Sequence, residues 1–391
     1  MSRRKNIAIF GATGSVGGSV IDIVKQSPER FNVEVLTASS NWKALAKLAL
    51  ELGPKSVVIA DERFYPELSD ALQGRGIDIL TGEDGLVTAA QYPVDLHVAA
   101  IVGIAGLMPT YKAIECGYTI ALANKEALVC AGQLMMDAAK RSDATILPLD
   151  SEHNAIFQSL EYDNRSAVSK IILTASGGPF RDKTREDLAN VTVAEALAHP
   201  NWDMGPKISI DSATMANKAL EVAEAHHLFN VSADKIEVVI HPQSIVHSMV
   251  EYVDGSILAQ MGAPDMRTPV AHCLNWPKRF PANTDKLDFK KVIDLQFRPV
   301  DFGRFKMLGI MFEIIKNNSL MSVVFNAVNE VAVEAFLSKK IEFLGIEDVV
   351  EHVLSKAPVV SILNIEDVFA LDLETRRIAY DIIKTVNKDA A

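Results

Sequence analysis

The feature that most constrains this chain lies near its start. Ile7-Ala-Ile-Phe10, a β-branched and aromatic run, passes directly into Gly11-Ala-Thr13-Gly14-Ser15-Val16-Gly17. Glycines spaced G-x-x-G-x-x-G between a strand and a helical segment (Gly17–Lys25) form a variant of the dinucleotide fingerprint. Glycine allows the tight turn and lets backbone approach a pyrophosphate, which then sits at the helix N-terminus. A plain strand–helix turn also uses glycine, but this loop occupies the first βα unit, where a nucleotide-binding sheet begins.

The alternation continues. Strand-like runs recur at Val33–Thr37, Ser56–Ala60, Asp78–Leu80, Leu96–Ile101 and Tyr118–Ala123, with helical segments such as Trp42–Leu52 and Leu107–Cys116 between them. Strand–helix–strand order implies a mostly parallel sheet with helices on both faces. Residues 1–149 are therefore expected to be an α/β, doubly wound, Rossmann-like domain. Its second strand ends Leu36-Thr-Ala-Ser39-Ser40-Asn41-Trp-Lys43, with no acid where an NAD enzyme binds the ribose 2′-hydroxyl. Neutral donors beside a lysine accommodate a 2′-phosphate, which points to NADP. Ser39, Ser40 and Asn41 equally fit the N-cap of the next helix, and an N-cap also presents amides to an anion.

After a further strand, Ala144–Leu147, the pattern loosens. Apolar runs at Lys170–Thr174, Ile236–Ile240, Ser244–Tyr252 and Ser256–Gln260 include a pair flanking Val253-Asp254-Gly255, a hairpin signal. Residues 150–275 read as an α+β domain with antiparallel pairing, whose apolar hairpin is a candidate dimer interface. Pro277, Pro281 and Pro299 mark 276–303 as a connector. Helical periodicity at Phe305–Asn317, Val323–Lys339, Ile346–Ser355 and Ile365–Asn387 makes 304–391 a helical C-terminal domain.

A length of 391 residues fits two or three domains. The net charge of −11 argues against a nucleic-acid partner, because phosphate-backbone affinity needs a basic surface. A local pocket can still bind a small anion. No stretch reaches the roughly 20 apolar residues of a membrane span, and the N-terminal run reads as a strand rather than a signal peptide. Cys116, Cys130 and Cys273 lack paired spacing and read as buried thiols of a reducing, cytoplasmic compartment.

Asp150-Ser151-Glu152 and Ser212-Ala-Thr-Met-Ala-Asn217-Lys218-Ala-Leu-Glu221 mix carboxylates with short donors. Carboxylates are hard oxygen ligands for Mg²⁺ or Mn²⁺, while Ser, Asn and Lys hold hydroxyls and phosphate. Asp150 and Glu152 equally suit a helix start. In the helical run Ala213–Leu228, Asn217 and Glu221 share a face and Lys218, three before Glu221, flanks it; a surface Lys–Glu pair is the simpler account, although it leaves Asn217 and Ser212 unexplained. Thr174-Ala175-Ser176-Gly177-Gly178-Pro179-Phe180 can form an anion nest, or be a plain loop. His199-Pro-Asn201-Trp202-Asp-Met204-Gly205-Pro206-Lys207 has the make-up of a mobile lid, or of a surface loop anchored by its Trp. The other histidines show no metal spacing.

These segments resemble those of the 1-deoxy-D-xylulose 5-phosphate reductoisomerase family over nearly the whole chain. Ala123-Asn124-Lys125-Glu126, Leu149–His153, His199–Ser209, Asp211–Glu221, His241–His247 and Ala263–Pro269 all take part. Ala175, Ser39-Ser40 and Pro206 depart from the family's usual Gly, Gly-Lys and non-proline residues. The resemblance implies NADPH- and metal-dependent rearrangement and reduction of 1-deoxy-D-xylulose 5-phosphate to 2-C-methyl-D-erythritol 4-phosphate, in the methylerythritol phosphate route to isoprenoids. The family mechanism is usually drawn as retro-aldol cleavage, rejoining to a branched aldehyde, and reduction. Asp150, Glu152 and Glu221 then correspond to ligands of one Mg²⁺, Mn²⁺ or Co²⁺. Ser176, His199, Ser212, Asn217 and Lys218 correspond to phosphate and sugar contacts, with Ser151 and Lys125 on the hydroxyls and Glu152 and Glu221 also facing the substrate. Lys125, Glu152, Lys218 and His199 are the expected catalytic set. The NADPH site would take Thr13, Gly14, Ser15, Val16, Ser39, Ser40, Asn41, Asn124 and Glu126, with Met204 and Gly205 near the nicotinamide. A homodimer is implied. A semialdehyde reductase would instead need a nucleophilic Cys beside a His, which no cysteine here has; a non-catalytic NADP-binding regulator would have no use for three carboxylates.

Overall fold

The computed structural model describes residues 3–202, 204–317, 320–357 and 362–389. In chain order the first elements are β1 (Lys5–Phe10), α1 (Ser15–Gln26), β2 (Phe31–Ala38), α2 (Trp42–Leu52), β3 (Ser56–Ile59), α3 (Tyr65–Ala71), β4 (Asp78–Thr81), α4 (Gly82–Ala90) and β5 (Leu96–Ala99). They continue as α5 (Leu107–Glu115), β6 (Thr119–Leu122), α6 (Lys125–Ser142), β7 (Thr145–Pro148) and α7 (Ser151–Ser159). The middle of the chain forms β8 (Val168–Ala175), α8 (Arg185–Leu188), α9 (Val193–Leu197), α10 (Pro206–Thr214), α11 (Ala216–Phe229), β9 (Ile236–Ile240), β10 (Val246–Tyr252), β11 (Ile257–Met261) and α12 (Arg267–Asn275). A two-residue β12 (Arg298–Pro299) precedes α13 (Lys306–Asn317), α14 (Met321–Leu337), α15 (Gly345–Lys356) and α16 (Ile365–Asp389).

Contacts divide the chain into two compact units. The first is Met1–Ala127, Met135–Phe157 and Asp265–Asp285; the second is Leu128–Leu134, Gln158–Pro264 and Lys286–Ala391. Among its described residues the first unit holds a seven-stranded sheet in the order β4-β3-β2-β1-β5-β6-β7, parallel throughout. This is the doubly wound arrangement the alternation predicts. The inner strands β2, β3 and β5 are buried on both faces, as their Val- and Leu-rich sequences require, while the edge strand β4 is partly exposed. Ile7, Ile9, Val57, Ile59, Leu96 and Val98 have no exposed surface, and burying each contributes roughly 1.5–3 kcal/mol. Helix α1 adds Val20, Ile21, Ile23 and Val24 to this core, and α12 adds Val270, Ala271, Cys273 and Leu274. Lys5 Nζ donates to the Leu274 carbonyl at 2.9 Å. Thus Asp265–Asp285, which follow the second sheet in sequence, pack with the first.

The second unit carries a five-stranded sheet in the order β11-β10-β8-β9-β12. Its pairs are antiparallel except β8–β9, which is parallel. The expected antiparallel pairing holds for three of the four pairs. It misses β8–β9 because α8 to α11 form the long crossover that returns the chain in the same direction. The β10–β11 turn has Gly255 at φ +85°, and β11 is the outer strand, with Ile257 50% and Leu258 43% exposed. Helix α14 is buried over most of its length. Phe180 packs edge-on against Phe343 at 5.2 Å, and Phe343 against Phe336 at 5.6 Å, joining the residues after β8 to the helical C-terminal segment. Cys130 and Cys273 are buried, whereas Cys116 is exposed, which corrects the expectation of three buried thiols. Among the described residues no helix is long and apolar enough to cross a membrane.

Candidate active site

In the first unit, every candidate residue lies at the carboxyl edge of the parallel sheet, where ligands of such sheets bind. After β1, Gly11 adopts φ +84°, and a Cβ there would meet the Ala100 carbonyl at 2.4 Å; a Cβ on Gly17 would come within 2.2 Å of the Gly11 carbonyl. Gly11 thus lets the loop turn beneath β5, and Gly17 lets α1 close onto the loop. Gly14, the N-cap of α1, makes no side-chain cap. With Ser15 it is exposed, while Thr13 and Val16 are partly buried, and the Gly14 amide closes the loop onto the Gly11 carbonyl at 3.0 Å. Beyond β2, Asn41 caps α2 by accepting from the Ala44 amide at 3.1 Å, while Ser39 and Ser40 are exposed. The capping reading is therefore correct for Asn41. Lys43 Nζ sits 5.5 Å from the Trp42 ring centroid.

Asn124 caps α6, accepting from the Ala127 amide at 2.6 Å and donating to the carbonyls of Gly103 (2.8 Å) and Ile101. Lys125 and the buried Glu126 occupy the first turn of that helix. Lys125 pairs with Asp150, and both side chains are largely buried. Asp150 stands immediately before α7, its Oδ1 accepting from the Ser151 amide at 3.0 Å. Ser151 Oγ donates to Glu152 Oε2 at 2.6 Å. The helix start and the acidic cluster are thus the same residues.

In the second unit, β8 delivers Ser176 and the paired glycines. Gly177 and Gly178 adopt φ +79° and +65°, and a Cβ on Gly178 would lie 2.6 Å from the Ser212 carbonyl. The glycine loop therefore rests directly on α10. Ser176 Oγ receives the Gly178 amide at 3.2 Å and lies 2.9 Å from His199 Nε2. Burial, with the Arg181 charge adding to it, pushes the His199 imidazole down to about 4.

A single helix over Ala213–Leu228 with Ser212 at its start is not what forms. Met215 adopts φ +62°, which ends α10 and begins α11, so Ser212 lies in the last turn of α10. The sequence gives no cue for this break, since Met rarely adopts left-handed backbone. Within α11, Glu221 has no exposed surface and Lys218 only 4%. Asn217 Nδ2 donates to Glu221 Oε1 at 2.5 Å, and Lys218 pairs with Oε2. The surface-pair account of Lys218 and Glu221 is thereby excluded.

The His199–Lys207 segment is fastened by His199 itself and by Asn201. His199 Nδ1 accepts the amides of Asn201 (3.2 Å) and Trp202 (3.0 Å). Asn201 Nδ2 donates to the Pro242 carbonyl at 2.7 Å and to Ser244 Oγ at 2.9 Å. The receiving turn is built by His241, whose Nε2 accepts the Ile245 and Val246 amides at 3.1 Å while Nδ1 faces the Gln296 carbonyl at 2.8 Å. The Trp202 ring is half-buried, 6.4 Å from that of His247. Met204 is half-buried, and Gly205, the N-cap of α10, has open space where a Cβ would go. A glycine at 205 is not sterically required. Pro206 occupies the first turn of α10, where its missing amide hydrogen costs nothing.

Family models described as 1-deoxy-D-xylulose 5-phosphate reductoisomerase match residues 7–132, its C-terminal domain 146–229, and DXP reductoisomerase C-terminal domain 261–378. A curated protein named 1-deoxy-D-xylulose 5-phosphate reductoisomerase, from Zymomonas mobilis subsp. mobilis, is 50% identical over 376 residues, covering 96% of this chain and 97% of its own. The chain belongs to the 1-deoxy-D-xylulose 5-phosphate reductoisomerase family. Solved structures of the family agree. The Zymomonas mobilis enzyme in complex with NADPH superposes with a TM-score of 0.92 at 48% identity, over 97% of this chain and 99% of that one. A DOX-P reductoisomerase in complex with NADPH, fosmidomycin and magnesium gives 0.94 at 42% identity, over 98% and 99%.

Proposed function

We propose that this chain carries out the NADPH- and divalent-metal-dependent conversion of 1-deoxy-D-xylulose 5-phosphate to 2-C-methyl-D-erythritol 4-phosphate, a step of the methylerythritol phosphate route to isoprenoids. Family membership supports the reaction. The observation that carries the site is Glu221: a carboxylate with no exposed surface, gripped by Asn217 and Lys218 on the same helix. A buried carboxylate costs stability unless it is paired or bound to a metal, and Asn217 and Lys218 hold this one in a fixed orientation suited to ligation.

In this reading Asp150, Glu152 and Glu221 hold one divalent cation. Each can offer a carboxylate oxygen, and an all-oxygen donor set suits Mg²⁺, Mn²⁺ or Co²⁺ better than thiol-seeking metals. Thr13, Gly14, Ser15 and Val16 receive the pyrophosphate of NADPH at the start of α1, with Ser39, Ser40 and Asn41 beyond β2 near the 2′-phosphate. Asn124 and Glu126 complete that side; Met204 and Gly205 flank the nicotinamide. When bound, the cation supplies Lewis-acid polarisation of the substrate's carbonyl and hydroxyl, and NADPH supplies the hydride.

The chain's own residues do the rest. Ser176, Ser212 and Asn217 donate to the phosphate, and Lys218 neutralises it. His199 adds a neutral N–H donor. Ser151, Lys125, Glu152 and Lys218 orient the hydroxyls and move their protons within the pocket. Trp202, on the segment that Asn201 fastens, excludes water, and anchoring the remote phosphate stabilises the closed arrangement. Residues 1–149 act as the cofactor domain, 150–275 as the catalytic domain, 276–303 as a connector, and 304–391 as the helical C-terminal domain. The exposed outer strand β11 supports a homodimer, and the sequence character supports a cytoplasmic enzyme. The test is NADPH oxidation with 1-deoxy-D-xylulose 5-phosphate, with and without EDTA. Metal-dependent consumption is expected, and its absence would overturn the reading.

A further inference from the structure

We propose that Asp211 and Asn329 are a positioning pair that sets Ser212 against the glycine loop, and so tunes affinity for the phosphorylated substrate from outside the site. This rests on the reading that Ser176 and Ser212 hold the phosphate. Asp211 lies in the last turn of α10, one residue before Ser212, and its side chain is 1% exposed. Its Oδ1 accepts from Asn329 Nδ2 at 2.9 Å, and its Oδ2 lies 2.6 Å from Lys207 Nζ, one turn earlier in the helix. Asn329 has no exposed surface and sits in the middle of α14, among Val323, Val324, Val328 and Val331.

A wholly buried amide costs more than an apolar side chain would, unless a partner uses it; Asn326, the other buried amide of α14, bonds within its own helix to Glu330, whereas Asn329 reaches out to α10. Here the partner is a buried carboxylate, which needs charge and hydrogen bonds in its turn. Lys207 provides the first and Asn329 a second. The consequence is rotational. Neighbouring residues of an α-helix leave its axis about 100° apart, so pinning Asp211 to α14 fixes the direction of Ser212. On its other side, the Ser212 carbonyl meets Gly178 so closely that a Cβ there would stand 2.6 Å away. Ser212 is thus clamped between a polar pin on α14 and the loop that begins at Ser176. The left-handed Met215 follows three residues later and passes the setting of α10 to the start of α11, where Asn217 and Lys218 stand. This gives the helical C-terminal segment, which supplies no candidate contact of its own, a part in substrate affinity.

The test begins with Asn329→Leu, which keeps bulk, removes the donor and leaves the Lys207–Asp211 pair. NADPH-oxidation kinetics with 1-deoxy-D-xylulose 5-phosphate and Mg²⁺ are expected to show KM raised about tenfold, with kcat changed less than about threefold. The NADPH dissociation constant, from fluorescence titration, should be unchanged. The exchanged pair Asp211→Asn/Asn329→Asp restores a carboxylate–amide contact and is expected to recover most of the loss in KM. Asn329→Ser is read in the same way if the leucine variant does not fold. Unaltered KM in a folded variant overturns the proposal. So does parallel worsening of KM, kcat and NADPH binding, which marks a merely structural role, or an exchanged pair no better than the single variant. A wild-type chain that fails to oxidise NADPH with this substrate would sink the functional reading first, so the two failures are distinct.

Discussion

Ser176 Oγ lies 2.9 Å from His199 Nε2, while the opposite ring nitrogen of His199 takes two backbone amides. An amide can only donate, so Nδ1 is the lone-pair nitrogen and the proton of the neutral ring sits on Nε2, toward Ser176. Burial, with Arg181 nearby, pushes the imidazole down to about 4, so at neutral pH the ring is an uncharged donor. Nitrogen-15 spectra of labelled histidine should show one unchanged Nε2–H tautomer for His199 from about pH 8 to about pH 5.5. A cationic ring at neutral pH would overturn the assignment.

Acid should weaken the fold through its buried histidines. His97 lies in β5, stacked on Phe10 at 4.2 Å, and neither ring nitrogen has a hydrogen-bond partner among the described residues. Burial pushes it down to about 3. His227 and His272 are pushed down to about 4, again first by burial. Each group titrates near 6.5 when unfolded, so from there downward the unfolded chain takes protons that the folded chain refuses. This stability is complete above pH 6.5 and is lost as pH falls toward 4 and then 3. Urea midpoints measured across that window should fall with pH, and His97→Leu should make the fall shallower by about one proton. An unchanged slope would count against burial as the cause.

Asn201 ties the segment after His199 to the turn that follows β9. Asn201→Ala removes both donors, to the Pro242 carbonyl and to Ser244 Oγ, and leaves the two backbone amides on His199. Faster proteolytic cleavage within 199–206 is expected, with KM raised several-fold and the global melting temperature within about 2 °C of wild type, since the lost contacts are local. Equal protease resistance would show that the segment is fixed by other means.

How much of this was legible in the sequence follows from which interactions are local. The glycine loop, the strand–helix alternation and the cap at Asn41 depend on residues a few positions apart, so their pattern is visible in the chain itself. The parallel β8–β9 pair depends on a crossover from Ala175 to Ile236, whose direction no local pattern encodes. Met215 is left-handed because α10 and α11 are each held elsewhere, and its own preference opposes it. The Lys218–Glu221 spacing was legible, but not its burial, which separates a solvated pair from a held carboxylate. The contacts of Asn201 and Asn329 were invisible for the same reason: each is made with a partner 41 or 118 residues away. Asp265–Asp285 join the first unit through contacts with α1 that sequence order conceals.

Gly178→Ala tests the close approach of the glycine loop to α10. The residue is at φ +65°, and the added methyl would stand 2.6 Å from the Ser212 carbonyl and 3.2 Å from the Ala213 Cα. Left-handed backbone alone costs a non-glycine residue about 1–2 kcal/mol, and the clash with backbone cannot be relieved by a rotamer change. Denaturant unfolding should show a loss of at least about 1 kcal/mol, with KM for the phosphorylated substrate raised more than tenfold as Ser176 and Ser212 are pushed apart. Gly205→Ala is the control: space is open there, and stability should change by less than about 0.5 kcal/mol. Similar losses in both variants would argue that glycine is needed for flexibility and not for contact.

Glu221→Gln asks whether the buried carboxylate is a ligand or only a partner for Lys218. The substitution keeps the shape but removes the charge, and it leaves Lys218, 4% exposed, without its carboxylate. Breaking a buried pair from one side costs about 3–5 kcal/mol, so a lower melting temperature alone decides nothing. The double variant Glu221→Gln/Lys218→Met removes both members of the buried pair and should recover much of that stability. If Glu221 is a ligand, Glu221→Gln abolishes turnover at any Mg²⁺ concentration, while NADPH still binds at close to wild-type affinity because Glu221 is not among its proposed contacts. Activity that persists in Glu221→Gln with its full metal dependence would remove Glu221 from the ligand set and leave it a structural acid.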